Sequence, residues 1–199
     1  MNGLLASTDA LAPGGAQPVV AGGYVPGAIG RIVELHGSYY AASWGFGAFF
    51  EARMARELAE FVGRYDARRD GLWTASVAGR IEGSIAIDGS RAGETGAHLR
   101  WFIVSDVLRG QGIGSRLIDE ALAFSRRCGH PRVTLWTFAS LDAARHLYER
   151  SGFRLVEERR GTQWGTEVVE QRFELDLSGD GGSGAGGERL PLMGRPGPR

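Results

Sequence analysis

The stretch that decides the fold is Arg-Gly-Gln-Gly-Ile-Gly, at residues 109–114. An apolar run at residues 99–104 precedes it and predicts a mostly buried strand. Five apolar residues follow it at helical spacing: Ile113, Leu117, Ile118, Ala121 and Leu122. This repeat predicts the buried face of an amphipathic helix. The three glycines therefore stand where a strand turns into a helix.

A glycine-rich turn of this kind is suited to hold a phosphate group. Glycine lets the backbone turn without a Cβ clash and lets a ligand approach the main chain closely. The N–H groups in the first turn of a helix have no partner inside the helix, and the helix dipole places partial positive charge there. An anion is therefore the natural guest. A tight turn that binds no ligand is the alternative that the glycines alone leave open.

Two common phosphate loops do not match this stretch. A Walker loop needs a Lys followed by Ser or Thr after its last glycine, whereas Ser115 and Arg116 stand there. A Rossmann fingerprint spaces its glycines as G-x-G-x-x-G, whereas the order here is G-x-G-x-G. The pattern that fits is R-x-x-G-x-G after a strand that ends at Val104.

That pattern resembles the coenzyme A pyrophosphate loop of the GCN5-related N-acetyltransferase (GNAT) superfamily. Residues 132–138 resemble the fifth strand of that family, and residues 143–153 resemble its A-x-x-L-Y-x-x-x-G-F helix and turn. The resemblance extends over about residues 29–177. The sequence is also similar to a GNAT subgroup that is often fused behind a MarR-type regulator, although we expect no DNA-binding domain within this chain.

The resemblance implies an α/β (α+β) fold of GNAT type. This fold has a mixed, mostly antiparallel sheet of about seven strands, with a central β-α-β unit that binds coenzyme A. We expect a flexible Ala/Gly/Pro-rich leader at residues 1–26, the N-acetyltransferase domain at residues 27–177 and a disordered Gly-rich tail at residues 178–199. Within the domain we expect the first strand at residues 29–35, and a helix at residues 141–151 with Ser140 as its N-cap.

The resemblance also implies where acetyl-CoA binds. In GNAT enzymes the pantetheine arm lies between the fourth and fifth strands, which splay apart, and the glycine loop holds the pyrophosphate. The cofactor-binding residues predicted in this way are Phe102, Ile103, Val104, Arg109, Gly110, Gln111, Gly112, Ile113 and Gly114. A backbone N–H near the first three would stabilise the oxyanion. Arg109 either adds charge near the phosphates or is a solvated loop cation.

Tyr148 is the predicted catalytic residue, because it occupies the Tyr of the L-Y motif, whose hydroxyl often acts as the general acid in the family. A phenol with a pKa near 10 is protonated at neutral pH and can donate to a thiolate. Tyr148 could instead pack in the core, which is compatible with the role because packing would also position the hydroxyl. The candidates for the general base stay open: Glu34, Glu82, Glu94, His98 and Asp106.

The acceptor side is expected from two aromatic segments. Residues 36–47 hold two tyrosines, a tryptophan and a phenylalanine among glycines, and Trp164 stands beside Gly165 in a loop. Such aromatics line apolar or cation-binding pockets, although about half of them are expected in the core.

Composition narrows the partners. Lys and Arg together number 23, as do Asp and Glu, so the net charge is zero, which argues against capture of nucleic acid or an anionic membrane. The single Cys128 has no companions at metal-ligand spacing, so no metal is expected. No apolar run approaches the length of a membrane span, and residues 1–5 lack the features of a signal peptide. A cytoplasmic location is therefore expected.

The sequence thus predicts an N-acetyltransferase that moves an acetyl group from acetyl-CoA to a primary amine of a small molecule or peptide. The amine would attack the thioester directly, without a metal. The alternative is a non-catalytic acyl-CoA sensor that uses the same loop. A homodimer is a further expectation from the family.

Overall fold

Seven strands form one mixed sheet in this computed structural model, which describes residues 16–179. The strands are β1 (Val19–Gly22), β2 (Gly71–Val77), β3 (Arg80–Asp88), β4 (Ala97–Val104), β5 (Arg132–Phe138), β6 (Arg154–Gly161) and β7 (Val168–Asp176). Their order across the sheet is β1-β2-β3-β4-β5-β7-β6. Every neighbouring pair is antiparallel except β4 and β5. The prediction of a mostly antiparallel sheet of about seven strands is confirmed.

The helices cover the sheet on both faces. They are α1 (Ala28–Trp44), α2 (Ala48–Gly63), the short α3 (Ala92–Thr95), α4 (Ile113–Arg127) and α5 (Asp142–Arg150). On one face, α1 and α2 bury Ile32, Leu58 and Phe61 against the sheet. On the other face, α4 and α5 bury a second core that includes Leu117 and Tyr148. The parallel crossover from β4 through α4 to β5 places the glycine loop between the end of β4 and the start of α4.

The predicted first strand is wrong in position. Residues 29–35 lie in α1, because Ile29, Ile32, Val33 and His36 repeat at helical spacing and turn one stripe toward the sheet. The short alternation of apolar and polar residues also fits a strand, and packing onto the sheet decides for the helix.

The first strand is instead β1, inside the segment expected to be a leader. It pairs antiparallel with β2, with Val19 opposite Ser76. The leader prediction is therefore wrong for residues 19–22. Residues 1–15 and the tail from residue 180 onward lie outside the described residues, where these two assignments stay predictions.

The two ends of α5 differ in how well the sequence predicts them. Ser140 has φ of +79°, and Leu141 precedes the helix without a side-chain cap. The predicted Ser140 cap is wrong, because a capping residue takes extended rather than left-handed backbone angles. The other end matches the prediction: Gly152 has φ of +91°, and the Phe153 amide donates to the Tyr148 carbonyl at 3.1 Å.

Replacing Ala78 by asparagine is expected to raise the free energy of unfolding by about 0.5–1 kcal/mol. Ala78 and Gly79 form the two-residue turn between β2 and β3, with φ of +49° and +76°. This geometry matches a type I′ turn, which favours Asn-Gly, and asparagine tolerates positive φ better than alanine. Urea unfolding measures the change. An Ala78→Ser control should gain less, and a destabilised A78N protein would contradict the assignment.

Candidate active site

The strands β4 and β5 separate soon after they begin to pair. Only two residue pairs join them, Ala97 with Val133 and His98 with Thr134. A bulge further along β4 sets Trp101 and Phe102 against the single residue Ile85 of β3. Trp101 has φ of +48° and joins the core under α1 and α2, whereas Phe102 packs against the other core. The resulting gap leaves the β4 backbone beyond His98 unpaired on the β5 side.

A cavity of about 500 Å³ lies at this gap on the side of α4 and α5. This donor-side cavity has a volume typical of small-molecule sites. Eight of the nine residues predicted to bind the cofactor line it: Phe102, Ile103, Val104, Arg109, Gly110, Gly112, Ile113 and Gly114. Gln111 does not, since its side-chain amide donates to the Val107 carbonyl at 2.8 Å.

The glycine loop presents free backbone donors to the donor-side cavity. Gly110 and Gly112 have φ of +76° and +75°, and α4 begins at Ile113 without a side-chain cap. The first-turn amides therefore have no partner inside the helix. A Cβ on Gly114 would lie 3.1 Å from the Leu147 side chain, so glycine permits the close contact of α4 with α5. Arg109 is exposed and pairs with Asp106 at 2.6 Å.

A second cavity, of about 140 Å³, lies toward α1 and α2. Three residues, Tyr40, Phe102 and Leu141, line both this acceptor-side cavity and the donor-side cavity. The rest of its lining comes from α1, α2, β4, β5, α5 and the loop after β6. Its volume is close to that of cavities known to admit a benzene ring. The two spaces therefore meet where β4 and β5 separate.

The aromatic segments divide between this cavity and the core. His36, Tyr40 and Trp164 line the acceptor-side cavity. Trp44 and Phe46 instead pack on Phe138, with ring centroids 5.3 and 5.4 Å away. This division agrees with the expectation that about half of the aromatics belong to the core.

Tyr148 is both packed and accessible to the acceptor-side cavity. Its ring is 6% exposed, with centroids 5.8 Å from Phe102, 6.0 Å from Phe153 and 6.1 Å from Phe173. It lines the cavity, and its hydroxyl has no hydrogen-bond partner among residues 16–179. Burial, with a smaller contribution from Tyr40, raises the pKa of the phenol above its ordinary value of 10. Tyr148 therefore stays protonated.

Two neutral histidines line the same cavity. The Nδ1–H of His36 donates to the Ile32 carbonyl at 2.8 Å, which leaves the Nε2 lone pair free. Burial lowers the pKa of His36 from 6.5 to about 4. Burial and then Arg100 lower the pKa of His98 to about 4. Both rings are therefore uncharged at neutral pH and accept hydrogen bonds.

Only His98 among the five candidate bases lines the acceptor-side cavity. The four carboxylates pair with arginines instead. Glu34 and Glu82 each lie 2.8 Å from Arg31. Glu94 lies 3.1 Å from Arg91, and Asp106 pairs with Arg109.

The comparison with known families agrees with this geometry. The model of the acetyltransferase (GNAT) family matches residues 31–153. The chain belongs to this family. An N-acetyltransferase of Methanocaldococcus jannaschii, described as uncharacterised, is 27% identical over 129 residues, which are 62% of this chain and 56% of that protein. The chain thus spans little more than half the length of that relative.

Solved structures share the GNAT fold. A GNAT-family acetyltransferase of Staphylococcus aureus has a TM-score of 0.65 at 15% identity, over 81% of this chain and 99% of that chain. The yncA protein of Salmonella typhimurium, solved with its cofactor acetyl-CoA, has a TM-score of 0.62 at 16% identity. That match covers 83% of this chain and 98% of the other.

This GNAT site contains a charged cluster that sequence reasoning missed. On α2, Arg53 Nε donates to Glu57 Oε1 at 2.6 Å, and Arg100 on β4 pairs with the other carboxylate oxygen. All three side chains line the acceptor-side cavity. The i,i+4 spacing of Arg53 and Glu57 predicts an ion pair on one helix. The sequence pattern, however, places Arg53 on the solvent-facing side of that helix. Only the packing of α2 on β4 brings Arg100 to them.

Within residues 16–179 of this GNAT chain, no three His, Cys, Asp or Glu side chains are grouped so that they could hold a metal ion. Nor does any helix within this part of the chain have the length and apolarity needed to cross a membrane.

Replacing His36 by glutamine is expected to reduce the dependence of stability on pH, and His98, whose pKa is also lowered to about 4, supplies part of what remains. Between pH 4 and 6.5, His36 is protonated in the unfolded chain but neutral in the folded chain. The free energy of unfolding therefore falls as the pH falls through this window. The lowered pKa of His36 corresponds to a change of about 3 kcal/mol in the free energy of unfolding over the whole window. Urea unfolding at pH 7 and pH 4.5 measures the difference.

The exposed His146 supplies the matched control for this measurement. His146→Gln should keep the wild-type difference between the two pH values. An H36Q protein with the same difference as wild type would show that His36 does not supply the pH dependence.

Proposed function

We propose that this chain is an N-acetyltransferase that moves an acetyl group from acetyl-CoA to a primary amine of a small molecule or peptide. The observation that carries the proposal is the meeting of two cavities at the gap between β4 and β5. One has the glycine loop at its rim, and the other is lined by aromatic and charged side chains. A thioester in the first would face an amine in the second.

The donor would be held mainly by the main chain. The free amides of Gly110, Gly112, Ile113 and Gly114 would bind the pyrophosphate, with the α4 dipole favouring its negative charge. The unpaired edge of β4 at Phe102, Ile103 and Val104 would hydrogen-bond the pantetheine arm. Arg109 would add charge after exchanging Asp106 for a phosphate. Acetyl-CoA serves as a substrate here, and no metal takes part in the proposed step.

The proposed reaction is direct attack on the thioester. The amine nitrogen bonds to the carbonyl carbon while the carbonyl electron pair moves to oxygen. A backbone N–H of β4 near the bulge stabilises this oxyanion, a contact type worth about 3 kcal/mol in other enzymes. The oxyanion then reforms the carbonyl as the carbon–sulfur bond breaks, and the thiolate leaves.

Tyr148 would deliver the proton that the thiolate needs. Its hydroxyl is protonated, lacks a partner among the described residues and lines the acceptor-side cavity. Contacts with Phe102, Phe153 and Phe173 fix the ring. The proton lost by the attacking nitrogen leaves through the cavity, and we assign no residue to its removal.

While no anion is bound in the acceptor-side cavity, its charges would favour the neutral, reactive form of an amine. Arg53 and Arg100 contribute two positive charges and Glu57 one negative charge. The Glu57 pKa lies below its ordinary value, because the hydrogen bonds and charges of the two arginines outweigh the opposing effect of burial. Net positive charge lowers the pKa of a bound amine.

Release of free coenzyme A thiol from acetyl-CoA, measured with a panel of small amines and peptides, tests the proposal. We expect thiol release that depends on the amine and matches the amide formed. Binding of acetyl-CoA without thiol release for any acceptor would favour the sensor alternative instead. A cytoplasmic location and a homodimer stay predictions.

A further inference from the structure

We infer that the acceptor carries an oxyanion, such as a carboxylate, beside its amine, and that Arg53, Arg100 and Gln163 bind this group in the acceptor-side cavity. This inference rests on the proposed acetyl transfer and narrows its acceptor. It concerns a binding subsite that lies apart from the glycine loop and from Tyr148.

The first support is the imbalance of charge in the cavity wall. Glu57 is the only carboxylate in the lining within residues 16–179, and both arginines share it. The side chains of Arg53, Glu57 and Arg100 are 29%, 22% and 20% exposed, so water screens them only partly. His36 and His98 add no charge, because the pKa of each is about 4. One further negative charge would neutralise the net positive charge of the side chains that line the cavity.

The nearest other carboxylate supplies only a long ion pair to Arg100. Asp88 Oδ2 lies 3.9 Å from Arg100, outside hydrogen-bond distance, and it accepts a hydrogen bond from Arg64 at 2.5 Å. Asp88 lines a neighbouring groove rather than the acceptor-side cavity. Arg100 therefore keeps donors available for a ligand.

The second support is an unpaired buried donor on the same wall. Gln163 Nε2 is buried without a hydrogen-bond partner among the described residues, and Gln163 lines the cavity. A buried amide donor without an acceptor costs about 1–3 kcal/mol. Arg53 Nη1 donates to the main-chain carbonyl of Gln163, which ties the guanidinium to the same residue. An oxyanion here would satisfy the amide and the free guanidinium donors together.

The geometry of the donors suits such a group. Guanidinium donors are planar and match the two oxygens of a carboxylate. Arg100 is held in place on the Trp101 ring, with its Cζ 4.2 Å from the ring centroid. The same charges would repel a second cationic group on the acceptor, so diamines should be poor substrates.

Matched sets of small acceptors test the inference. Each set contains an α-amino acid, its amide and the amine left by removing its carboxylate, with side chains from alanine to phenylalanine. We expect kcat/KM for the acid to exceed that for both neutral partners by about tenfold or more in the best set. Thermal stabilisation of the coenzyme A-bound protein by the same compounds supplies a readout that needs no turnover.

Variants connect the preference to the named residues. Arg53→Gln and Gln163→Leu should each lower the ratio of acid to amine kcat/KM toward one, and neither should change the KM for acetyl-CoA. Arg56→Gln, an exposed change on the same helix, should keep the wild-type ratio. Because either Arg53→Gln or Gln163→Leu could fail to fold, the test uses both variants.

Two results would overturn the inference. In one, neutral amines are acetylated and bound as well as the acids in every set, which leaves the proposed transfer intact. In the other, none of the acids binds the coenzyme A-bound protein. Failure of the transfer itself is separate, because it would show as binding of the acids without thiol release from acetyl-CoA.

Discussion

Tyr148→Phe is expected to lower kcat about a hundredfold or more, the range typical for loss of a general acid. The ring stays in place, because its contacts with Phe102, Phe153 and Phe173 do not involve the hydroxyl. Only the proton donor to the thiolate is removed. Steady-state thiol release at saturating acetyl-CoA measures the change, and the KM for acetyl-CoA should remain close to that of wild type.

Tyr24 offers a control for the loss of a tyrosine hydroxyl. It is 50% exposed and lines neither cavity, so Tyr24→Phe should keep wild-type kcat. Equal kcat for Tyr148→Phe and wild type would remove Tyr148 from the mechanism. A raised KM with unchanged kcat would make it a binding residue instead.

Gly112→Asp is expected to weaken coenzyme A binding about a hundredfold, because a carboxylate would stand where the phosphates bind. The fold should tolerate the change. A Cβ at Gly112 meets no atom within 4 Å, and Asp tolerates the φ of +75° better than most residues. Asp is also favourable beside a helix N-terminus. Calorimetric titration with coenzyme A measures the affinity.

The uncharged isostere separates charge from shape at this position. Gly112→Asn places a side chain of the same size in the loop without the negative charge. We expect it to bind coenzyme A more weakly than wild type but at least tenfold more tightly than G112D. Equal affinity of G112D and wild type would show that the loop does not hold the phosphates.

Much of the donor side is predictable from the sequence, because its signals are local. The spacing of the glycines and the helical repeat from Ile113 to Leu122 depend only on neighbouring residues. The structure accordingly places eight of the nine predicted residues on one cavity. Tyr148 became a candidate through the family motif rather than through any pattern of charge or periodicity.

The acceptor side is less predictable, because tertiary packing decides it. Nothing in the sequence marks Trp101 for positive φ, yet this bulge turns Phe102 toward the donor-side cavity. Arg100 meets Glu57 across 43 positions only after α2 packs on the sheet. Residues 29–35 fit a strand in a short window, and burial of Ile32 makes them part of α1.

The most direct test of the account is to quantify both products from isotopically labelled acetyl-CoA. Mass spectrometry of reactions that contain the protein and one acceptor from a panel should detect a labelled acetyl amide in an amount equal to the free coenzyme A formed. Tyr148→Phe should lower the amounts of both products together. Tight binding of acetyl-CoA by the same preparation, with no labelled amide from any acceptor, would contradict the proposal that this chain transfers the acetyl group.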